Sequence, residues 1–332
     1  MITLEPSGFF RRVPLQPYQL TDRHTRTEDS IVLCHLGVPR IAPHDWSLTI
    51  DGLVRRPLRL EIDDLKQRKK VRIESVHQCA GSPLQPRVPT RRVCSVIWTG
   101  VPLADLLSDC EPLETARFAW AYGADYGTFE GYSCDAYVKD LPLERVSQDV
   151  LLAYEMNDAP LRPENGFPVR LVVPGFYGTN SVKWLTRLKL CERRADGPFT
   201  TALYNDPVLD GMGAPTGATR PVWEIAPESV IVTPAPGSKV PFGLPVQIWG
   251  WAWGDGDISC VEVSRDGGCS WSIAKLEPRA GRMWQRFQYT WLPKAHGSYD
   301  ICSRAAGPNG EFQPASGARN AIHRVAIEVI EG

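Results

Sequence analysis

Long apolar runs are missing from this sequence: nothing in it approaches the ~18 apolar residues of a membrane-spanning helix. An excess of either charge is missing too. Over 332 residues, 37 Lys and Arg stand against 38 Asp and Glu, a formal net charge of -1. Neither a nucleic acid nor an anionic membrane is therefore expected as partner, because both demand a basic surface. Cysteine pairing motifs are absent. The nine cysteines, at 34, 79, 94, 110, 134, 191, 260, 269 and 302, form no C-x-x-C and so no covalent haem site. An odd number scattered over a long chain is no disulfide framework and fits a reducing compartment. The six histidines give no H-E-x-x-H, which argues against zinc. There is no P-loop and no G-x-S-x-G. The one glycine-rich lookalike, Gly211 to Gly217, follows a loop and contains Pro215, which sets aside nucleotide and conventional hydrolase chemistry. The opening M-I-T-L-E-P-S-G-F-F-R-R-V-P lacks a basic region followed by an apolar one. The expected compartment is the cytoplasm, or the periplasm if the start was trimmed.

The chain is long enough for two domains, with 43% hydrophobic residues to build their cores. Residues 1–45, rich in Pro, Arg and His, read as an extended segment packing on the catalytic domain. That domain, residues 46–200, mixes strands (W-S-L-T-I-D-G-L-V, V-R-I-E-S-V-H-Q-C, R-F-A-W-A-Y-G-A-D, V-L-L-A-Y-E-M, F-P-V-R-L-V-V-P-G, S-V-K-W-L-T-R-L-K-L-C-E) with helices at L-E-I-D-D-L-K-Q-R and V-P-L-A-D-L-L-S-D-C. Residues 201–227, with many Gly and Pro and no period, read as a linker. From 228 to 332 the texture is all-β, with about seven short strands. It holds six of the eleven tryptophans and a hairpin turn signal at Arg265 to Gly268, so an immunoglobulin-like sandwich is expected. The fold class is α+β: a mixed α/β domain followed by that sandwich.

Among candidate chemical groups, Cys79 in V-H-Q-C-A-G-S-P stands out. A cysteine ending an apolar strand is ordinarily a small buried hydrophobe. The alternative is that the strand delivers a thiolate to a turn opened by Gly81 and Pro83, where a soft metal could take it as ligand.

Four blocks occur in a telling order: V-H-Q-C-A-G at 76–81, D-V-L-L-A-Y-E-M-N at 149–157, G-F-P-V-R-L-V-V-P-G at 166–175 and S-V-K-W-L at 181–185. With V-E-V-S-R-D-G-G-C-S-W at 261–271 and N-A-I-H-R-V at 320–325, the chain resembles the sulfite oxidase family over roughly residues 28–330. The resemblance implies a molybdopterin-binding domain, a dimerisation sandwich, and molybdenum held by molybdopterin; no haem-binding motif occurs in the sequence, so no haem is expected. In that family a thiolate at the position of Cys79 completes a metal centre otherwise held by two dithiolene sulfurs. His35 matches a histidine lining the pterin, and Asp125 an acid that hydrogen-bonds it. Arg170 and Ser181, Val182 and Lys183 match cofactor contacts, the cations suiting a phosphate. Asn165 stands where the family has a histidine. Tyr204 matches an active-site tyrosine.

The implied activity is oxygen-atom transfer, sulfite to sulfate by family prior, with electrons leaving to a separate acceptor such as cytochrome c or oxygen. The implied assembly is a homodimer. Departures are equally informative. The family's substrate-binding arginines are replaced by Leu33 and Leu84, and a third, upstream of the H-R-V block near A-S-G-A-R, is missing or displaced. Arg40, Arg87, Arg91, Arg92 or Lys139 could supply charge instead. A different small oxo-acceptor or oxo-donor is therefore an alternative substrate, and a non-catalytic cofactor-binding protein a third reading, against which the retention of Tyr204 argues.

Overall fold

The computed structural model describes residues 2–82, 91–316 and 318–331. Residue contacts divide the chain into two compact units: Met1–Arg12, Ile31–Ile73 and Ile97–Trp223, and Val13–Ser30, Glu74–Val96 and Glu224–Gly332. The second therefore contains two excursions from the N-terminal half of the sequence. The division runs through two strands, Val71–Gln78 and Val93–Pro102.

The first unit is built on a five-stranded sheet in the order Val138–Pro142, Phe118–Gly123, Leu185–Cys191, Ser47–Gly52, Leu58–Glu61. All neighbours are antiparallel except Leu185–Cys191 with Ser47–Gly52. Phe118–Gly123 alternates half-buried and buried residues, which directs Ala119 and Ala121 into the core. The helix Leu103–Cys110 buries Leu103, Leu106, Leu107 and Cys110, an i, i+3, i+4, i+7 stripe. It starts at Leu103, directly after Pro102, and ends where Glu111 takes a left-handed φ of 51°. In the first unit, Val93–Pro102 pairs through residues 98–102 with Leu151–Met156, whose other edge carries Arg170–Val172.

Two sequence expectations come out shorter. The helix expected at L-E-I-D-D-L-K-Q-R is confined to Ile62–Lys66, since Leu58–Glu61 pairs as a strand. The strand expected from Ser181 begins only at Leu185, because Trp184 sits at a φ of 49°. Residues 205–221 carry an antiparallel hairpin, Asn205–Leu209 with Pro215–Pro221.

The second unit is a sandwich. One sheet runs Glu228–Thr233, Val246–Trp253, Gln285–Trp291, Lys275–Leu276, the other Lys239–Pro241, His323–Ile330, Gly297–Ala306, Cys260–Ser264, Ser272–Ile273. Ile231, Ile248 and Phe287 from the first meet Val261, Ile301, Val325 and Ile327 from the second in one core. Among the described residues no helix is long and apolar enough to cross a membrane.

Candidate active site

Cys79 follows directly on Val71–Gln78 and opens a turn in the second unit. Its N–H donates to the Arg92 carbonyl at 2.9 Å, and its carbonyl accepts the Ser82 N–H at 3.2 Å. The Gly81 N–H points at Cys79 Sγ, 3.3 Å away. A Cβ at 81 would come within 2.9 Å of Arg92 Nη1, which donates to the Gly81 carbonyl at 2.7 Å, so that guanidinium would have to shift. Arg319 donates to the Ala80 carbonyl. Burial pushes the Cys79 thiol pKa up, while the Gly81 N–H and the guanidinium groups of Arg92 and Arg319 pull it down. The side chain is only half-buried. A backbone donor and two cations facing a half-buried sulfur are the surroundings in which a thiolate forms once a soft cation replaces the proton.

The first unit gathers most of the other expected residues. His35, between Leu33–Cys34 and Gly37–Arg40, is packed by Phe129, Tyr137 and Phe199, and its Nε2 lies 2.5 Å from Tyr204 Oη. Burial, with Lys183 and Lys139 adding to it, drives the imidazole pKa down to about 3. His35 is thus a neutral hydrogen-bonding partner and not a resting cation. Tyr204 is held at a φ of 59°, unusual for a bulky residue, with its carbonyl taking the Val222 N–H.

Lys183 spends its three donors on the Leu33 carbonyl (3.0 Å), Cys34 Sγ (2.8 Å) and the Glu164 carbonyl (3.0 Å). Arg170, lying over the Trp98 ring, donates to the carbonyls of Asn165 and Ser181 at 2.9 and 3.0 Å. Ser181 Oγ accepts the Val173 N–H, and the Val182 carbonyl that of Leu171. These residues therefore tie together the segments bearing residues 33–35, 164–166 and 181–184. A phosphate contact by Lys183 would replace one of its present bonds. Asp125 is buried against Gly123, where a Cβ would lie 2.4 Å from Oδ1. Burial lifts its pKa to about 7, against the pull of Lys183.

The candidate cations separate clearly. Arg40 is exposed beside Glu5 at 3.6 Å. Arg91 is buried against Glu228, and Lys139 donates to the Phe199 carbonyl, 5.6 Å from the Tyr204 ring centre. Arg92 is at the Cys79 turn. Leu84 and Arg87 lie outside the described residues. Arg319, the arginine of A-S-G-A-R, reaches the Cys79 turn as well. Its only signal in the sequence is its place just before N-A-I-H-R-V.

A pterin needs polar partners away from water. The first unit offers them: Asn165 Oδ1, Asn180 Oδ1 and Thr200 Oγ1 are buried without a hydrogen-bond partner, a cost that a bound heterocycle would relieve. These residues fit the chemistry of a pterin, and the Cys79 turn, by itself, that of a soft-metal ligand.

Comparison with known proteins agrees. Residues 35–199 match the oxidoreductase molybdopterin binding domain, and residues 219–329 the Mo-co oxidoreductase dimerisation domain. Sulfite oxidase of Gallus gallus is 30% identical over 308 residues, covering 85% of this chain and 66% of that protein. The mitochondrial sulfite oxidase of Homo sapiens is 31% identical over 337 residues, covering 89% of this chain and 60% of that protein. The chain thus spans 60% to 66% of the length of these two relatives. The crystal structure of the sulfane dehydrogenase SoxCD from Paracoccus pantotrophus superposes with a TM-score of 0.80 at 26% identity, covering 99% of this chain and 92% of that one. Two domain matches in series and a fold shared along the whole chain place it in one lineage: the protein belongs to the sulfite oxidase family of molybdenum-cofactor oxidoreductases.

Proposed function

We propose that this chain catalyses oxygen-atom transfer on a small sulfur compound, with sulfite as the first substrate and a less charged sulfur species as the second reading. The observation that carries the proposal is the Cys79 turn, where the sulfur of a half-buried cysteine meets a backbone N–H and two guanidinium groups hold the carbonyls of the next two residues. Molybdenum on molybdopterin, when bound, supplies the two-electron redox couple and the oxygen-atom transfer. The protein's part is to hold and tune. Cys79 would be the thiolate ligand, and the Gly81 N–H steadies its charge. Asp125, Asn165, Arg170, Ser181, Val182 and Lys183 would frame the pterin. His35, neutral in its aromatic surroundings, orients the Tyr204 hydroxyl, which would hold or pass a proton at Oη. Arg92 and Arg319 bring positive charge to the Cys79 turn, which suits an anionic substrate.

A specific feature favours the second reading. By the resemblance, Leu33 would stand at the position of a family arginine, and its carbonyl accepts from Lys183. A pocket short of that guanidinium suits a substrate carrying less charge, in keeping with the likeness to a sulfane dehydrogenase. Electrons would leave to a separate acceptor, cytochrome c or oxygen, and the sandwich would join two copies as a homodimer.

The test is metal analysis of the purified protein followed by dye reduction with sulfite and with a sulfane-sulfur compound. One molybdenum per chain and reduction by either compound is the expected result. Protein from a molybdenum-replete host that carries no molybdenum would overturn the proposal. Molybdenum without reduction would point to a cofactor-binding protein.

A further inference from the structure

The residue before the candidate ligand is completely buried in a polar network that the proposed chemistry does not use. The Trp253 indole donates to Gln78 Oε1 at 2.9 Å. An indole N–H can only donate, so this bond fixes which way the amide faces. Gln78 Nε2 is thereby turned toward Ser82 Oγ at 2.9 Å, Asn320 Oδ1 at 3.0 Å and the Glu228 carboxylate. Glu228 also takes Arg91 Nε at 3.0 Å, with both side chains fully buried. Arg91 Nη2 donates to the Ala321 carbonyl at 3.2 Å, and Asn320 Nδ2 to the Ala226 carbonyl at 2.8 Å. A buried ion pair is weak evidence of stability, because desolvation offsets its attraction. What such a pair can supply is orientation.

The network brackets one short turn. Gln78 and Ser82, at its two ends, are bonded to each other, while Ala80 and Gly81 are anchored by Arg319 and Arg92. Cys79 is the first of the three residues enclosed. Glu228, Trp253, Arg319 and Asn320 all come from the segment matched as the dimerisation domain. We propose that this segment also serves the candidate metal site. Glu228 is a positioning residue that acts through Gln78, with Trp253 and Asn320, to fix where the Cys79 sulfur points. Its meaning for turnover rests on Cys79 being the metal ligand. The positioning itself does not.

Alkylation of the full chain purified without molybdenum, followed by peptide mass spectrometry, tests it apart from metal binding. Exposed Cys269 is the internal reference and buried Cys302, in the same sandwich, reports general loosening. The variants are Glu228→Gln and Trp253→Phe, with Gln247→Ala, on an exposed side chain bonded to Thr290, as control. The expected result is at least a tenfold rise of the Cys79 rate relative to Cys269 in both variants, with Cys302 unchanged and the control like wild type. A Cys79 rate within twofold of wild type would overturn the proposal. So would Cys302 rising in step with Cys79, because the network would then hold the sandwich and not the turn. If Glu228→Gln is insoluble, Trp253→Phe, which removes the indole N–H together with part of the buried ring, decides alone by the same criteria.

Discussion

Replacing the Cys79 sulfur by oxygen exchanges a soft, strongly donating ligand for a hard one, while leaving an acceptor for the Gly81 N–H. Cys79→Ser is therefore expected to fold like wild type by circular dichroism and to lose turnover in the dye assay; wild-type turnover would remove Cys79 from the metal. Tyr204→Phe deletes the hydroxyl beside His35 and is expected to lower kcat by about 10²–10⁴, the usual worth of a positioned proton donor. Steady-state kinetics decides it, and an unchanged kcat would make Tyr204 a packing residue. At Leu33 the expectation has the opposite sign. A hydrogen bond to a charged group is worth ~1.5–3 kcal/mol, so Leu33→Arg should raise sulfite kcat/KM roughly 10- to 100-fold. No gain would mean that Arg92 and Arg319 already meet the substrate's charge. Cys79 was legible because it sits in the block V-H-Q-C-A-G, and His35 and Tyr204 because the resemblance carries family positions onto them. Arg319 was not, since an arginine in a loop of small residues carries no periodic or spacing signal until the chain is folded.

Strands carry a stability prediction of their own. His323 begins the strand His323–Ile330, is buried, and accepts the Ile231 N–H at Nδ1, 3.0 Å away. Burial chiefly, with Arg91 adding to it, lowers its pKa from 6.5 to about 3. The unfolded chain binds the extra proton between those values, so the stability tied to a neutral His323 is complete above pH 6.5 and is lost as the pH falls toward 3. At 1.36 kcal/mol per unit, and with half the unfolded chain already protonated at pH 6.5, lowering the pH to 4.5 withdraws about 2 kcal/mol of the His323 contribution. His323→Gln keeps an acceptor that does not titrate. Urea unfolding at the two pH values should show the loss in wild type and a smaller one in the variant; equal losses would contradict the assignment. His323–Ile330 was readable because its alternation is strict, and Val246–Trp253 because it is an apolar, tryptophan-rich run. The hairpin at 205–221 was not, because most of its residues are exposed, none is buried, and no apolar face marks its period. The start at Leu185 was hidden by Trp184, whose left-handed backbone no local pattern announces.

At the scale of the whole molecule, the sequence shows two successive textures and the structure two compact units, and the two descriptions divide the chain differently. Residues 74–96, with Cys79 among them, cluster with the sandwich because Gln78 and Arg91 find their partners at 228, 253 and 320. Partnerships spanning about 140 to 240 residues leave no trace in local patterning, and no boundary drawn from composition could have included them. The sandwich is also the expected site of a two-fold interface. Sedimentation at micromolar concentration should give a homodimer, and a clean monomer would count against that assembly. The central claim is that Cys79 completes the molybdenum site, and counting sulfur neighbours of the metal tests it most directly. X-ray absorption at the molybdenum edge should find three sulfur scatterers in the wild type, two from the pterin and one from Cys79. It should find two in Cys79→Ser. The same number of sulfurs in both proteins would contradict the account.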